Sequence, residues 1–306
     1  MGKDKKIIGE NLPNSQTKKS IRFFEDKEVR AIWDDNDNKW WFNVVDIVAV
    51  LNEQQDYTKA NNYWRWLKRK LANEKNQLVS ATHGFKFVAA DGKMRLADCL
   101  DSDGITELAK NFPNTKAMKF LDWFTYSDNT IDGQSKKKAY TFWDSNLIAG
   151  TEVGSIKALQ KIHAYIFGGL YDFAGQIRTK NISKGGFTFA PCQYFNITLP
   201  TIERMPETTF DEIVDKYVEM NVAHPFMEGN GRSTRIWLDL IFRRSLKKCV
   251  DWSKINKNDY LNAMIESHTD STKIKQLLQG ALTDKIHDRE IFMKGIDYSY
   301  YYESND

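Results

Sequence analysis

The sequence has few cysteines, no long apolar run and little excess of either charge. Its three cysteines lie far apart and form no Cys-x-x-Cys pair, so we expect reduced thiols rather than a zinc site or a disulfide framework. No stretch approaches the roughly 20 apolar residues of a transmembrane helix, and the polar N-terminus lacks the apolar segment of a secretion signal. These absences predict a cytoplasmic protein that does not enter a membrane.

Charge and aromatic content narrow the class of protein further. The formal net charge is +3, from 44 Lys and Arg against 41 Asp and Glu, which does not by itself indicate a polyanionic partner. The 306 residues suffice for two domains of common size. Nine Trp among many aromatics can form buried cores without disulfides or metals.

Composition and pattern predict four segments: a flexible polar N-terminus (1–19), a folded unit (20–126), a linker (127–137) and a second folded unit (138–306). The linker, "SDNTIDGQSKK", is polar and has no apolar period. No internal repeat is found.

Hairpin patterns predict that the first unit is an α+β module. In "VRAIWDDNDNKWWFNVV" two apolar and aromatic runs flank a turn of Asp and Asn, and "FKFVAADGKMRLAD" turns at Asp91-Gly92. The second unit is predicted to be mainly α-helical with one short β-hairpin, since "SKGGFTF" alternates Phe with small residues. Its predicted helices cover 152–171, 209–223, 231–248, 257–268 and 271–282.

The stretch "HPFMEGNGRSTR", residues 224–235, is the most informative part of the chain. Helical spacing ends just before His224 and resumes after Gly231, so Gly229, Asn230 and Gly231 lie where a helix begins. Helix starts offer unpaired backbone N–H groups and a positive dipole end, and glycine lets the backbone approach a ligand closely. The pattern therefore predicts an anion site, with phosphate as the natural anion.

The neighbouring charges suit a nucleotide. Arg232 and Arg235 lie on one helix face and could hold successive phosphates. Glu228 would repel those phosphates unless a divalent ion intervened, and Mg2+ commonly binds through a carboxylate and phosphate oxygens. His224 has a side chain suited to deprotonating a hydroxyl. A structural histidine, an ordinary turn and a solvated arginine face explain these residues singly but not together.

The stretch resembles the Fic family signature, HxFx(D/E)GNGRxxR, at every specified position, and the similarity extends over about 138–306. Fic proteins typically transfer the AMP part of ATP to a protein hydroxyl. The resemblance implies that His224 takes the proton from a target Ser, Thr or Tyr and that Glu228 holds Mg2+. It implies that Gly229–Gly231 cradle the α- and β-phosphates, that Arg232 contacts the β-phosphate and that Arg235 binds the γ-phosphate.

The resemblance also gives the hairpin a role. In the family this flap lies over the site and aligns the target by strand-like main-chain pairing. Without the resemblance, a purely structural hairpin explains the pattern equally well. The flap residues are Ile182, Ser183, Lys184, Gly185, Gly186, Phe187, Thr188 and Phe189.

The C-terminal sequence "SYYYES" resembles the inhibitory motif (S/T)xxxE(G/N) that some Fic proteins carry in a C-terminal helix. Ser299 and Glu303 lie four residues apart, on one helix face, while Ser304 replaces the expected Gly or Asn. The resemblance implies that Glu303 pairs with Arg235 and prevents productive binding of ATP. A terminal amphipathic helix is the alternative.

The first unit, 20–126, resembles the Bro-N domain of phage antirepressor-like proteins, for which DNA binding is suggested. Its stretch "YTKANNYWRWLKRKL" interleaves aromatic and basic residues, which can stack on bases and contact phosphates. An amphipathic helix with buried Trp and solvated Lys and Arg is the alternative, so DNA binding is a hypothesis.

The sequence thus predicts a protein adenylyltransferase that uses ATP and Mg2+ to modify a hydroxyl side chain of a target protein. Removal of AMP, or transfer from another nucleotide, is an alternative within enzymes. A DNA-binding regulator that only senses ATP is an alternative from another class. The sequence leaves open the target protein and whether the chain forms a homo-oligomer.

Overall fold

The computed structural model describes residues 19–37, 39–89, 91–112, 115–184 and 186–303. The chain divides into two compact units, 1–128 and 129–306. None of the helices in the described ranges combines the length and apolar content needed to cross a bilayer. All three cysteines are free, as expected; Cys99 and Cys249 are buried and Cys192 is partly exposed.

The first unit is an antiparallel sheet, in the strand order β1-β2-β3-β5-β4, packed with helices. Its strands and helices are β1 (Lys19–Phe24), β2 (Lys27–Asp34), β3 (Lys39–Asn43), α1 (Val44–Leu51), α2 (Tyr57–Asn73), α3 (Gln77–Ser80), β4 (His83–Val88), β5 (Met94–Leu100), α4 (Ser102–Ala109) and α5 (Thr115–Tyr126). The predicted hairpins are confirmed as β2–β3 and β4–β5. Lys19, placed in the flexible N-terminus by the prediction, begins β1; residues 1–18 lie outside the described ranges.

Helix α1, "VVDIVAVL", is buried on nearly every side because apolar residues cover almost its whole circumference. Asn43 begins the helix by accepting a hydrogen bond from the Val45 N–H at 2.9 Å. The one acid of α1, Asp46, is buried and forms an ion pair with Arg30 on β2 at 2.6 Å. The core of the first unit therefore centres on this helix and the sheet face beneath it.

The second unit is mainly helical, as predicted. Its elements are α6 (Ile131–Thr141), α7 (Ile156–Phe167), β6 (Ser183–Lys184), β7 (Phe187–Thr188), α8 (Phe195–Glu203), α9 (Phe210–Ala223), α10 (Asn230–Leu246), β8 (Cys249–Val250), α11 (Lys257–Glu266), α12 (Thr272–Ala281), β9 (Leu282–Thr283) and α13 (Arg289–Glu303). Helix α10 is central and packs against α7, α9 and α13. Its buried Trp237, Leu238, Ile241 and Phe242 provide the apolar surface for that packing.

The structure differs from the predicted linker, 127–137, because most of that segment belongs to α6 and the second compact unit begins at 129. Thr130 begins α6 by accepting a hydrogen bond from the Gly133 N–H at 3.0 Å. The buried residues of α6 are small, Ser135 and Ala139, so no apolar period marks the helix. Polar bonds attach it to α13, including the ion pair of Lys136 with buried Asp297 at 2.7 Å.

Candidate active site

His224 ends helix α9 in a left-handed backbone conformation, with φ 49°. Its Nδ1 lies 3.1 Å from the carbonyl oxygen of Asn221. Because a carbonyl oxygen only accepts hydrogen bonds, Nδ1 carries the proton and Nε2 keeps a lone pair. The local backbone therefore selects the tautomer that a general base needs.

The imidazole of His224 is covered by the flap. It stacks on the Phe189 ring with 3.7 Å between ring centroids and 14° between planes. Burial lowers the pKa of His224 to about 4, against an opposing effect of Glu303; Arg178 and Lys184 lower it further. The imidazole is therefore neutral near pH 7 and can accept a proton.

The turn between α9 and α10 is built from backbone and side-chain amides. The Asn230 side chain accepts a hydrogen bond from the Phe226 N–H and donates one to the Phe226 carbonyl, each at 2.8 Å. Gly229 has φ 76°, and a Cβ there would overlap the ring of Phe167. No side chain in the described ranges caps the first turn of α10. The Asn230 side chain thus shapes the turn, and the anion site at the backbone N–H groups of that turn stays a prediction.

Arg235 is buried and fully engaged by the C-terminal helix and α11. Its Nη2 donates to the Glu303 Oε1 at 2.6 Å, and its Nε donates to the Ser299 Oγ at 2.8 Å. Tyr260 accepts from Nη1 at 3.0 Å. A Cβ on Gly231 would overlap that same carboxylate oxygen of Glu303. The Glu303 carboxylate therefore lies over the first turn of α10, where the sequence predicts a phosphate.

Burial raises the pKa of Glu303, but the charge of Arg235, its hydrogen bond and the charges of Arg232 and Lys184 together outweigh burial, so the pKa is lowered overall. The carboxylate is therefore ionised at neutral pH. Ser299 and Glu303 share one face of α13, as predicted, and both contact Arg235. Ser304, the position that departs from the inhibitory motif, lies outside the described ranges.

Arg232 is paired with carboxylates too. Its Nη1 forms an ion pair with Asp132 of α6, a residue that the sequence prediction missed. Its Nη2 donates to the Glu228 Oε1 at 3.1 Å. The Arg232 Nε is buried and has no hydrogen-bond partner among the described residues. A buried donor without an acceptor is costly, so this atom indicates a place for a further acceptor.

Glu228 suits the metal role that the sequence predicts for it. Its side chain is 55% exposed, and its Oε1 accepts a hydrogen bond from the Gly229 N–H at 3.0 Å. The described ranges contain no group of three or more His, Cys, Asp or Glu side chains that could hold a metal. A magnesium ion at Glu228 therefore needs oxygen ligands from a nucleotide, which is a common arrangement for Mg2+.

The predicted flap hairpin is confirmed as β6 and β7, which pair antiparallel with Ser183 opposite Thr188 and Lys184 opposite Phe187. The Phe189 N–H donates to the Ile182 carbonyl at 3.3 Å. Gly185 lies outside the described ranges. Ser183, Lys184 and Thr188 are exposed, so the hairpin edge is accessible.

Two further residues of the site, besides Asp132, escaped the sequence prediction. His163 of α7 is buried; its Nδ1 accepts from the Gly175 N–H and its Nε2 donates to the Glu228 carbonyl, each at 2.8 Å. Arg178, also buried, donates to the carbonyls of His224 and Ala190 at 2.7 and 2.6 Å. Their partners are backbone groups, which carry no signal in a single sequence.

Helix α2 of the first unit has a buried face and an exposed face. Trp64 is buried, and its Nε1 donates to Asp98 at 2.9 Å. Lys68 pairs with the same carboxylate at 2.7 Å. Trp66 is 54% exposed, with the Lys70 Nζ 5.9 Å from the centre of its ring, and Arg65 and Arg69 are exposed as well. One face is therefore core, and the other is basic with one aromatic.

Family models match both units. Residues 154–242 match the model of the Fic/DOC family, and residues 28–131 match that of the BRO family N-terminal domain. Both resemblances predicted from the sequence are confirmed.

Curated relatives match part of the chain. The protein adenylyltransferase VbhT of Bartonella schoenbuchensis is 29% identical over 147 residues, which are 44% of this chain and 30% of that protein. The probable protein adenylyltransferase y4lH of Sinorhizobium fredii is 30% identical over 118 residues, covering 35% of this chain and 61% of that protein. The chain thus spans less than two thirds of the length of either relative.

A solved structure, that of the BepC protein of Bartonella tribocorum with bound AMPPNP, aligns with 50% of this chain and 84% of that chain. The sequence identity is 20% and the TM-score is 0.44.

Proposed function

We propose that the second unit is a protein adenylyltransferase, which moves AMP from ATP to a Ser, Thr or Tyr hydroxyl of a target protein. The observation that carries the proposal is the neutral imidazole of His224, whose Nε2 has no hydrogen-bond partner among the described residues, beside a helix start that carries the Glu303 carboxylate. The adenylyltransferase names of the relatives that match this unit support the same reaction.

In the proposed reaction the target hydroxyl oxygen attacks the α-phosphorus and its proton passes to the His224 Nε2. The bond from the α-phosphorus to the bridging oxygen breaks, and pyrophosphate leaves. Arg232 and Arg235 bind the β- and γ-phosphates and stabilise the charge that develops on the leaving group. Glu228 would hold Mg2+ together with phosphate oxygens, and the ion would supply further charge neutralisation. The edge of the flap aligns the target by main-chain pairing.

The proposed resting state is inhibited. Glu303 occupies the Arg235 guanidinium and the space above Gly231, so a γ-phosphate and this carboxylate compete for the same groups. Two like charges in one buried site are strongly unfavourable. Replacing Glu303 by Gly should therefore permit productive binding of ATP and raise AMP transfer by at least tenfold, since the lost competitor is a buried ion pair.

The test uses the full chain with ATP labelled on the α-phosphate and a cell lysate as the source of targets. Glu303→Gly should label protein strongly, and His224→Ala in that background should abolish labelling. Glu290→Gln, a charge change elsewhere on α13, should leave labelling at the wild-type level. Equal labelling by wild type and Glu303→Gly would refute the inhibitory role.

The choice of label separates the alternatives. ATP labelled on the γ-phosphate should give no more labelled protein than the lysate gives without the variant, because pyrophosphate leaves. Label from GTP or CTP instead of ATP would favour transfer of another nucleotide. Loss of AMP from pre-labelled protein would favour the reverse activity. Binding of Mg-ATP by Glu303→Gly without labelling of protein would favour an ATP-sensing regulator.

A second function, DNA binding by the first unit, is favoured by the exposed face of α2. Trp66 can stack on a base while Arg65, Arg69 and Lys70 contact phosphates. The full chain should bind DNA with an affinity that falls as salt rises, and Arg69→Ala should reduce the slope of log K against log salt by about one. Salt-independent retention, or a slope unchanged by Arg69→Ala, would argue against this face. Lys110→Ala, outside α2, is the matched control.

A further inference from the structure

Arg178 is a buried cation between the flap and the end of α9. It lies in the irregular segment between α7 and β6, and its relative exposure is 3%. Its guanidinium lies over the Phe195 ring, 4.6 Å from the ring centre. Burial lowers the pKa of Arg178. A buried charge usually has a carboxylate partner, whereas the ion pairs found among the described residues include none for Arg178.

Its partners are instead carbonyl oxygens from two places in the chain. At the end of α9, the carbonyl of His224 accepts from Nε at 2.7 Å and that of Ala223 accepts from Nη2 at 3.1 Å. At the two ends of the flap, the carbonyls of Lys180 and Ala190 accept from Nη1 and Nη2, each at 2.6 Å. One rigid guanidinium thus joins both ends of the flap to the backbone of His224.

The α9 contacts have a clear electrostatic basis. The last carbonyls of a helix have no partner within the helix and form the negative end of its dipole, where a cation is favourable. Arg178 supplies that cation at His224. The backbone of His224 is left-handed, which is an uncommon conformation for a residue other than glycine. Backbone bonds reinforce the junction: the Arg178 N–H donates to the Pro225 carbonyl at 2.8 Å and the Ala190 N–H to that of Val222 at 3.0 Å.

Side chains also connect the flap to the end of α9. Phe189 precedes Ala190, whose carbonyl Arg178 holds, and the Phe189 ring stacks on the imidazole of His224. A shift of the flap relative to α9 would therefore move both the Phe189 ring, which covers the imidazole, and the backbone of His224. Arginine suits this position because its planar fork bonds several acceptors at fixed angles, which lysine does not.

We propose that Arg178 is a positioning residue that fixes the target-docking flap to the catalytic base, so that a hydroxyl aligned on the flap meets the Nε2 of His224. The proposal rests on the proposed AMP transfer for its kinetic consequence, but the mechanical coupling stands independently of the reaction. Arg178 touches neither the phosphate-binding arginines nor Glu303 in the contacts described above. Its loss should therefore affect the transfer step more than nucleotide binding.

The test uses the full chain carrying Glu303→Gly as the parent. Arg178→Lys and Arg178→Gln are made in this parent, and Arg243→Lys in the same parent is the control. Arg243 is another partly buried arginine of this unit, bonded to Asp239 at 2.5 Å and to the Ile286 carbonyl, remote in sequence from the flap. Amide hydrogen exchange of 179–191 and 221–226 measures the coupling. The rate of AMP incorporation at saturating ATP and the Kd of α,β-methylene-ATP, which cannot release pyrophosphate, measure the function.

We expect faster exchange in both segments together for Arg178→Gln and an intermediate effect for Arg178→Lys. The rate of AMP incorporation should fall roughly 10- to 100-fold, as misplacement by about 1 Å produces, while the Kd changes less than about twofold. Arg243→Lys should leave exchange in both segments unchanged.

Three results would overturn the proposal: no change in exchange, faster exchange in only one of the two segments, or faster exchange throughout the unit with rate and Kd worsening together. If the Glu303→Gly parent transfers no AMP at all, the proposed function fails. The exchange data still decide the coupling in that case.

Discussion

At the scale of single residues, the chemistry depends on the protonation state of His224. The Asn221 carbonyl fixes the proton on Nδ1, and the Phe189 ring removes water from the imidazole. Burial lowers the pKa of His224 to about 4, so the base stays neutral as pH falls well below the usual histidine range. The charged groups that also act on it are Glu303, which raises its pKa, and Arg178 and Lys184, which lower it.

The pH profile of AMP transfer should reveal this burial. Only the neutral imidazole accepts a proton, and Glu303→Gly lacks the carboxylate that raises the pKa of His224, so its activity should persist down to a pH of about 4 or below. Phe189→Ala in that background should hydrate the imidazole and return its pKa toward about 6.5. Its activity should then begin to fall near pH 6.5. The measurement is kcat/KM between pH 4.5 and 8.

Phe187→Ala is the matched control for the pH profile. Phe187 packs on Phe189 and His268, with ring centroids 5.3 and 5.1 Å apart. It belongs to the same flap and should weaken target binding without moving the acid limb. An acid limb near pH 6.5 in the Phe189-containing parent would contradict the buried, neutral base.

At the scale of elements, helical spacing in the second unit predicted α7, α9, α10, α11 and α12, whereas α6 and α8 were not predicted. Helix α10 was visible because Ile236, Trp237, Leu238 and Ile241 follow its glycine-rich start. Helix α6 was not visible because it buries only small side chains and attaches to α13 through polar bonds. Its Asp132 lies 100 positions from Arg232, and one sequence gives no sign that the two meet.

Helix α6 nevertheless completes the electrostatics of the site. Two arginines predicted to hold phosphates are each paired with a carboxylate from a distant helix, Arg235 with Glu303 and Arg232 with Asp132. Asp132 is 59% exposed, so solvent screens its pairing and the ion pair is worth about 0.2–1 kcal/mol. A β-phosphate must displace Asp132, or share Arg232 with it.

Replacing Asp132 by Asn in the Glu303→Gly background should therefore tighten the binding of Mg-α,β-methylene-ATP, by up to about fivefold. Titration calorimetry at low salt gives the Kd. Asp144→Asn removes a carboxylate that is paired with Arg289 at 2.6 Å and similarly exposed, and it should leave the Kd unchanged. Weaker binding by Asp132→Asn would mean that this carboxylate assists the nucleotide rather than competing with it.

At the scale of the whole molecule, the proposed inhibition and the stability of the fold depend on the same ion pair. Arg235 is buried, and Glu303 neutralises its charge at 2.6 Å. Removing one partner of a buried pair leaves a desolvated charge, although Ser299 and Tyr260 still accept hydrogen bonds from this guanidinium. The active form of the protein should therefore be less stable than the resting form, by on the order of 2 kcal/mol.

Nucleotide should reverse that loss. Glu303→Gly should melt several degrees below wild type. Excess Mg-α,β-methylene-ATP should raise the Tm of the variant much more than that of wild type. At 100 times Kd the nucleotide adds about 2.7 kcal/mol to the free energy of unfolding of the variant. Differential scanning calorimetry measures both effects. Glu303→Gln, which keeps the volume and loses the charge, should respond to nucleotide more than wild type but less than Glu303→Gly. Equal nucleotide shifts in wild type and variants would show that Glu303 does not compete with the phosphates.

The two units differ in how far sequence alone could describe their functions. For 224–235, a long fixed motif predicted the base, the anion site and both arginines, because the proposed chemistry needs particular residues at fixed spacings. For α2 the same mixture of Trp, Lys and Arg serves both a core and a surface, and only burial separated Trp64 from Trp66. Residues that act through backbone carbonyls, such as Arg178 and His163, required the folded chain.

The most direct test of the central claim is a crystal structure of Glu303→Gly with α,β-methylene-ATP and Mg2+. The phosphates should lie over Gly231 at the start of α10, with the γ-phosphate on Arg235 and the magnesium ion on Glu228. The Nε2 of His224 should face the side of the α-phosphorus opposite the leaving group, with space for a hydroxyl between them. A nucleotide bound elsewhere, or a His224 imidazole with Nε2 turned away from the α-phosphorus, would contradict the account.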